Sequence, residues 1–188
     1  WDPNVDTSGP PLGVVAIVVS GSYVVFGGSW GGLNGGAGQL THAGIARTPI
    51  TGIGIVDATW IPATSNATTV HAIAAASDGS LIVAGSFVSM GGQQRNNIAK
   101  LNASTGLADA TWNPNASDIV YTVAAAGTDV VFGGTFTTVG GVTRNRIAKT
   151  PLIGNGAADA TWNPNANGIV RAVAYANEAV FLGGDFTN

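Results

Sequence analysis

An internal repeat constrains this chain more than any other feature of its sequence. A Trp-X-Pro sequence occurs four times, and its last three copies directly follow Asp-Ala-Thr. Two further sequences recur between these copies: a pair of small residues followed by a polar residue and an aromatic ring, and Ile-Ala followed by Arg or Lys. The three motifs occur in the same order in each unit. The repeating tryptophans are Trp1, Trp60, Trp112 and Trp162. A period of about 50 residues indicates a repeat architecture.

Each unit predicts four short strands separated by turns. Strands are favoured because the apolar runs are rich in Val, Ile, Thr and aromatic residues, and Gly, Asn, Asp or Pro bound them. In the second unit Asp78-Gly79 lies between two apolar runs and predicts a two-residue hairpin. In the third unit the four predicted strands are Val120–Ala126, Val130–Phe136, Asn145–Thr150 and Ala157–Trp162.

Four antiparallel strands in about 50 residues are typical of one blade of a β-propeller. The sequence therefore predicts an all-β propeller that forms a partial ring. We expect the end of a preceding blade and a linker at 1–10, blade 1 at 11–65, blade 2 at 66–117, blade 3 at 118–167 and the first two strands of blade 4 at 168–188. A closed ring needs about 4–8 blades. Either the chain is a stretch of a larger propeller, which we favour because both ends fall inside a repeat, or other chains complete the ring.

The small-residue pair in the second strand of each unit predicts close packing. Two adjacent glycines mark positions where a neighbouring backbone approaches closely or where a bulge bends the strand. The aromatic residue that follows is expected to fill the space between adjacent blades. These aromatic residues are Trp30, Phe87, Phe136 and Phe186.

The composition excludes several classes of protein. Charged residues make up only 9% of the chain, against about 25% in a typical soluble domain. With 7 Lys and Arg residues and a net charge of −3, the chain lacks the basic clusters that nucleic-acid binding requires. There is no cysteine for disulfides or thiolate metal sites. No apolar run reaches the length of about 18 residues that a transmembrane helix needs.

The third unit resembles a known repeat. It reads Trp-Asn-Pro-Asn at 112–115, Val-Phe-Gly-Gly-Thr-Phe-Thr at 131–137, Gly-Gly at 140–141 and Arg-Asn-Arg-Ile-Ala-Lys at 144–149. This pattern resembles the delta-60 repeat, a β-propeller repeat of large bacterial surface and secreted proteins. The first unit departs from it, because His42 stands where Arg95 and Arg144 stand in the later units. The resemblance implies a propeller in an extracytoplasmic setting and brings no catalytic residues with it.

An aspartate precedes each of the last three repeating tryptophans by three positions. Calcium could use these carboxylates, but it needs six to eight oxygens and each unit offers one such side chain. We therefore expect turn-forming or strand-pairing aspartates, with no metal and no other cofactor. The expected ion-pair partner is the basic residue nine or ten positions earlier in the unit. The pairs are Arg47 with Asp57, Lys100 with Asp109, and Lys149 with Asp159.

Arginine and asparagine recur at equivalent points of adjacent units, as Arg-Asn-Asn at 95–97 and Arg-Asn-Arg at 144–146. The interpretation we favour is structural, because the five-donor guanidinium suits hydrogen bonding between strands or blades. The alternative is a ligand face that binds carboxylates or glycan hydroxyls. Its residues would be Arg95, Asn96, Arg144 and Asn145.

Three sites match the Asn-X-Ser/Thr acceptor of N-glycosylation and fall in predicted turns: Asn66, Asn102 and Asn115. Other chemistry has weaker signals. Neither His42 nor His71 has a second ligand at metal-binding spacing, and the glycine-rich stretch at 31–38 lacks the lysine of a phosphate loop. We therefore predict no catalytic residues and no enzyme.

Three functions remain at this stage. The first is a non-catalytic structural or adhesive module of a larger extracellular surface or appendage protein, whose partners are neighbouring blades of the same or like chains. The second is a propeller that binds a glycan or a peptide. The third is a glycan-active enzyme on a propeller scaffold, although a fold does not by itself imply a function.

Overall fold

A computed structural model describes residues 13–30, 43–65 and 68–188, and all regular secondary structure in these ranges is β. The echo at 1–4, the glycine-rich stretch at 31–38, His42 and Asn66 lie outside the described residues. The longer strands form four antiparallel sheets in chain order. Sheet 1 contains β1 (Val14–Ser20), β2 (Tyr23–Gly28) and β3 (Ile45–Pro49); sheet 2 contains β4 (Thr69–Ala75), β5 (Ser80–Ser86) and β8 (Ile98–Asn102); sheet 3 contains β9 (Val120–Ala126), β10 (Asp129–Gly134) and β13 (Ile147–Pro151); sheet 4 contains β14 (Val170–Ala176) and β15 (Ala179–Gly184).

Two small hairpins join the second and third strands of sheets 2 and 3. They are β6 (Ser89–Met90) with β7 (Gln93–Gln94), and β11 (Thr138–Val139) with β12 (Val142–Thr143). In sheets 1 to 3 the second strand is central and pairs with both others. None of the described residues forms a helix that could cross a membrane.

The first three predicted strands of the third unit are confirmed, with small shifts at their ends. The first strand has the predicted bounds, and the second ends at Gly134 rather than at Phe136. The third begins at Ile147, two residues later than predicted. Its late start has a local cause, because Arg146 has a φ of 61° and this left-handed conformation interrupts an extended chain.

The fourth strand predicted at Ala157–Trp162 is not a regular strand. Its backbone joins the third strand through the Asp159 N–H, which donates to the Lys149 carbonyl at 2.8 Å. The Asp159 carboxylate then accepts the backbone N–H groups of Thr161 and Trp162. These local bonds compete with a strand ladder, so the segment turns instead of pairing.

The sheets stack face to face in chain order and approach one another along their first strands, with β1 beside β4, β4 beside β9, and β9 beside β14. In β10 the side chains of Val130 and Phe132 pack toward sheet 2, whereas Val131 and Gly133 lie toward sheet 4. Both faces of the strand are therefore covered. This explains why β10 is apolar at almost every position instead of alternating with polar residues.

The aromatic residues predicted to lie between blades do so in three of four cases. Phe87 packs in the apolar cluster between sheets 1 and 2, Phe136 in that between sheets 2 and 3, and Phe186 against that between sheets 3 and 4. The fourth, Trp30, packs on Phe26 with ring centroids 5.9 Å apart, just as Phe136 packs on Phe132 at 5.4 Å. The described residues include no sheet on that side of sheet 1, so the prediction for Trp30 stays a prediction.

The small-residue pairs combine both predicted roles, one at each position. The second member lies at a shift in strand register, and a Cβ there would collide with a backbone carbonyl beside the first strand; these residues are Gly28, Gly85, Gly134 and Gly184. The first member lies against the next sheet. A Cβ on Gly27 would overlap Val70, and one on Gly133 would overlap Val170. The glycine pairs thus set the spacing within and between sheets.

Candidate functional site

The aspartate of each Asp-Ala-Thr-Trp sequence forms a turn. In the second unit Asp109 Oδ1 accepts the backbone N–H of Thr111 at 2.9 Å, the Thr111 hydroxyl at 2.9 Å and the Trp112 N–H at 3.1 Å. Asp159 makes the same three contacts one unit later. The carboxylate thereby directs the following tryptophan into the apolar cluster between sheets, where Trp112 is fully buried.

The other carboxylate oxygen of each aspartate takes part in the predicted ion pair. The nitrogen–oxygen distances are 2.7 Å for Arg47–Asp57, 3.7 Å for Lys100–Asp109 and 2.9 Å for Lys149–Asp159. Each pair ties the turn back to the third strand of its own sheet. The prediction of these partners is confirmed.

Sequence reasoning missed a second carboxylate beside each lysine. Asp78 in the β4–β5 turn lies 2.8 Å from Lys100, and Asp129 at the start of β10 lies 3.5 Å from Lys149. Lys100 also donates to the Leu152 carbonyl of the next unit at 2.9 Å. These lysines therefore join two loops of one sheet, and Lys100 joins its sheet to the next.

In sheet 1 the basic residue, Arg47, has an aromatic partner in place of the second carboxylate. Tyr23 pairs with Pro49 in sheet 1 just as Asp129 pairs with Pro151 in sheet 3, so Tyr23 replaces that aspartate. The Arg47 guanidinium lies 4.0 Å from the centre of the Tyr23 ring. A cation–π contact thus takes the place of the second ion pair.

The surroundings hold these carboxyl groups ionised. Burial raises the pKa of Asp78, but hydrogen bonds from Lys100 and Ser80 outweigh it and leave the pKa at about 2. The Lys149 hydrogen bond and the Thr161 N–H hold the pKa of Asp159 far below its usual range. In the described part of the chain, no three His, Asp or Glu side chains converge at metal-binding spacing.

The two arginines of the predicted ligand face are buried and bonded to backbone. Arg95 donates to the Gln94 carbonyl at 2.7 Å and to the Asp109 carbonyl at 2.5 Å. Arg144 repeats the arrangement with the Thr143 and Asp159 carbonyls at 2.7 and 2.6 Å. Each guanidinium therefore fastens the small hairpin to the Asp-Ala-Thr-Trp turn of its own unit, and little of it faces solvent.

The two asparagines of that alternative ligand face are half-buried, and each bonds to the Trp-Asn-Pro-Asn loop at the end of its own unit. The Asn96 amide nitrogen donates to Asn115 Oδ1 at 2.7 Å, and Asn145 contacts Asn165 in the same way at 2.7 Å. Beside the first pair, a cleft of about 760 Å³ opens between sheets 2 and 3. No charged side chain among the described residues lines it, and its polar groups belong to asparagine, serine and threonine residues such as Asn97, Ser117 and Thr138.

The described glycosylation candidates are both exposed. Asn102 Oδ1 accepts the backbone N–H of Ser104 at 2.9 Å and of Thr105 at 3.0 Å. Asn115 has a φ of 51° and is held by Asn96. These contacts give each amide a defined orientation at the surface.

A row of unlike side chains on the first strands was also missed by sequence reasoning. Each first strand has a bulge at the same step, and the residues that the register skips are Val15, His71, Tyr121 and Arg171. His71 contacts Tyr121 edge-on, with ring centroids 5.1 Å apart. Alignment of the repeats could have found this position, because the residue between a constant valine and a small residue changes its chemical type from unit to unit.

Comparison with known families agrees with this geometry. The chain matches the family described as "Domain of unknown function (DUF5122) beta-propeller" over residues 76–111 and 130–150. The matched stretches cover the β5–β8 region with its Asp-Ala-Thr turn, and β10 with most of β13. Over these two stretches the chain is similar to a β-propeller repeat. No curated protein matches it.

Proposed function

We propose that the chain is a non-catalytic structural or adhesive module of a larger extracellular propeller protein, with sheets 1 to 4 as consecutive blades. The irregular segment around each Asp-Ala-Thr-Trp sequence takes the position of the fourth strand, since it bonds to the free edge of the third strand. On this proposal the blades keep the boundaries given above, and the units are delta-60 repeats.

The observation that carries the proposal is the apolar outer face of each end sheet. Ile17 on β1 is 61% exposed, whereas Val123, which holds the same register position in sheet 3, is 9% exposed. Phe181 on β15 is 57% exposed, whereas its counterpart Val131 is fully buried. Within the described residues, each internal face of this kind is covered by a neighbouring sheet. We infer that further blades cover the two end faces.

An association experiment tests this part of the proposal. Sedimentation velocity and binding of a hydrophobic dye are measured on the chain, on the double variant Ile17→Asp with Phe181→Asp, and on the control Ile153→Asp. Ile153 is 72% exposed in a turn away from both end faces. The end-face variant should lose dye binding and self-association, and the control should keep both. A chain that is monomeric and binds no dye would contradict the proposal.

The extracellular setting is supported by the low charge of the chain and by the repeat that it resembles. Limited proteolysis of intact source cells tests it, because peptides of this chain should be released before those of a cytoplasmic marker. Release only after lysis would contradict the setting. On the same material, mass spectrometry should show glycan on at least one of Asn66, Asn102 and Asn115 if the acceptor sequences are used.

The cleft between sheets 2 and 3 favours a second candidate, the binding of a neutral glycan. Its lining offers amide and hydroxyl groups and no charge, which suits hydroxyl groups better than an ion. A glycan array tests this function with the chain and the variant Asn96→Asp, which adds a negative charge at the cleft. Binding that the variant weakens supports the candidate. An array without hits removes it.

A further inference from the structure

The four first strands share a bulge at the same step. In β4 the register passes from the pair Val70–Gly85 to the pair Ala72–Ala84, so His71 has no partner. The same skip leaves Val15, Tyr121 and Arg171 without partners in the other three sheets. A bulge frees one residue from the ladder and re-aims its side chain, and bulges are frequent next to binding sites.

Each bulge also keeps the apolar residues before and after it on the same face of the first strand. Val120 and Val123 both belong to the cluster that faces sheet 2, although three positions separate them. In a regular strand, residues three apart would point to opposite faces. The extra residue at the bulge brings Val120 and Val123 to the same face. The side chain of Tyr121 itself is not part of this packing.

Three of the freed side chains contact one another across consecutive sheets. The His71 and Tyr121 rings meet edge-on at 62°, and the Arg171 guanidinium carbon lies 5.9 Å from the centre of the Tyr121 ring. Asp185, directly after the neighbouring strand β15, accepts hydrogen bonds from Arg171 Nε at 3.0 Å and Nη2 at 2.6 Å. Arg171 Nη1 makes no hydrogen bond to any described residue, and it is exposed together with Asp185.

The residue types at this position argue for recognition rather than for packing. The residue before the bulge is valine in all four units, and the residue after it is alanine or threonine. Only the bulged residue changes its chemical type: it is valine in sheet 1, histidine in sheet 2, tyrosine in sheet 3 and arginine in sheet 4. A purely structural position in a repeat needs one side chain that fits, and valine already fits it in sheet 1.

We propose that His71, Tyr121 and Arg171 form a binding row for a neutral pyranose saccharide. Tyr121 is half-buried between His71 and Arg171, and the exposed part of its ring offers an apolar surface to the C–H groups of a sugar ring. Arg171 Nη1 can donate a hydrogen bond to a sugar hydroxyl group, and the Asp185 carboxylate can accept one. The neutral imidazole of His71 can donate from one nitrogen and accept at the other. Asp185 cancels the charge of Arg171, so the row favours a neutral ligand over an anion. Burial lowers the pKa of His71, which keeps the imidazole uncharged at neutral pH.

The row is separate from the cleft beside Asn96, and the proposal does not rest on that cleft. Neither His71, Tyr121 nor Arg171 lines the cleft. The row and the cleft nevertheless lie near the same end of the sheets. Ser86 lines the cleft and pairs with Thr69, which precedes the bulged His71 by two residues.

The test is a titration of the chain with neutral hexasaccharides: cellohexaose, maltohexaose, mannohexaose and chitohexaose. The readouts are saturation-transfer NMR on the sugar and the Cε1–H resonance of His71, assigned with the variant His71→Gln. We expect one saccharide to shift this resonance and to bind about tenfold more weakly, or not at all, to Tyr121→Ala. Tyr121→Phe should retain most of the binding, because it keeps the ring. The matched control Tyr175→Ala removes an exposed tyrosine from the other end of β14 and should change nothing.

Several results would overturn the proposal. One is that no hexasaccharide binds, and another is that Tyr121→Ala and Tyr175→Ala bind equally well while both keep the amide spectrum of the parent chain. Loss of binding in Asn96→Asp but not in Tyr121→Ala would place the sugar in the cleft. That result would support glycan binding by the cleft and contradict the binding row. A parallel titration with oligogalacturonate completes the test, and binding of this acidic saccharide without binding of any neutral hexasaccharide would show that the ligand is an anion and overturn the proposal.

Discussion

Gly133 of sheet 3 lies so close to Val170 of sheet 4 that a Cβ on the glycine would overlap the valine side chain. Gly27 and Val70 repeat this relationship between sheets 1 and 2. The absence of a side chain on one strand thus makes room for a buried valine on the next. In sheet 2 the glycine is replaced by Ala84, which packs in the same cluster as Val120.

A methyl group at Gly133 should destabilise the stack. We expect Gly133→Ala to lower the free energy of unfolding by about 1–3 kcal/mol, because an extra carbon in a packed interface forces shifts. Gly183→Ala is the matched control, since Gly183 holds the same place in sheet 4 and a Cβ there would lie 3.7 Å from the nearest carbon. Urea denaturation of both variants measures the difference. Equal effects would mean that sheets 3 and 4 do not pack as described.

The buried arginines should contribute to stability rather than to ligand binding. Arg95→Ala removes two hydrogen bonds from a buried charged donor to backbone carbonyls, and we expect a loss of about 1.5–3 kcal/mol. Arg95→Lys should recover only part of it, because lysine lacks the planar fork. Arg171→Ala, at an exposed site, is the control in the same denaturation assay. A neutral effect of Arg95→Ala would contradict the assigned contacts.

The acidic side of the pH–stability profile should depend on Asp78. Its pKa falls from 3.8 to about 2 on folding. A carboxyl group with a depressed pKa stabilises the fold at higher pH and loses that contribution as the pH falls toward the folded value. The stability gap between the parent chain and Asp78→Asn should therefore be largest at neutral pH and close by about pH 2. Thermal melts at a series of pH values measure it, and a gap that stays constant down to about pH 2 would contradict the contacts assigned to Asp78.

Trp112 should cost more to replace than its counterpart one unit later. Its indole nitrogen donates to the Pro151 carbonyl of the next unit at 2.8 Å. Trp112→Phe leaves that carbonyl without its donor, and we expect a loss of about 1–3 kcal/mol. Trp162→Phe removes a partly buried indole that makes no such bond to any described residue. If both variants melt alike, the bond between consecutive units contributes nothing.

Much of the fold could be predicted from the repeat alone. Strand positions followed from apolar runs bounded by turn residues, and the close approach at the glycine pairs followed from the missing side chains. The ion pairs between Lys149 and Asp159, and their equivalents, followed from spacing along one unit. Each of these is a local property or a property that the period repeats.

The rest depends on contacts that a single unit does not encode. Ala157–Trp162 has the composition of a strand, but the Asp159 side chain captures the backbone N–H groups that a ladder would need. Asp78 and Lys100 meet only because β8, which carries Lys100, pairs with β5 directly after the turn that carries Asp78. The contact between His71 and Tyr121 requires the register skip in two neighbouring sheets, which apolar patterning does not reveal.

The most direct test of the account is an isotope-filtered NMR measurement of contacts between consecutive units. With methyl-labelled valine, the account predicts nuclear Overhauser effects from the Val170 methyl groups to the Gly133 α protons, and from the Val70 methyl groups to those of Gly27. It also predicts an effect between the His71 and Tyr121 rings. Absence of these effects, together with effects that pair the first strand of one unit with the third strand of another in one continuous sheet, would contradict it.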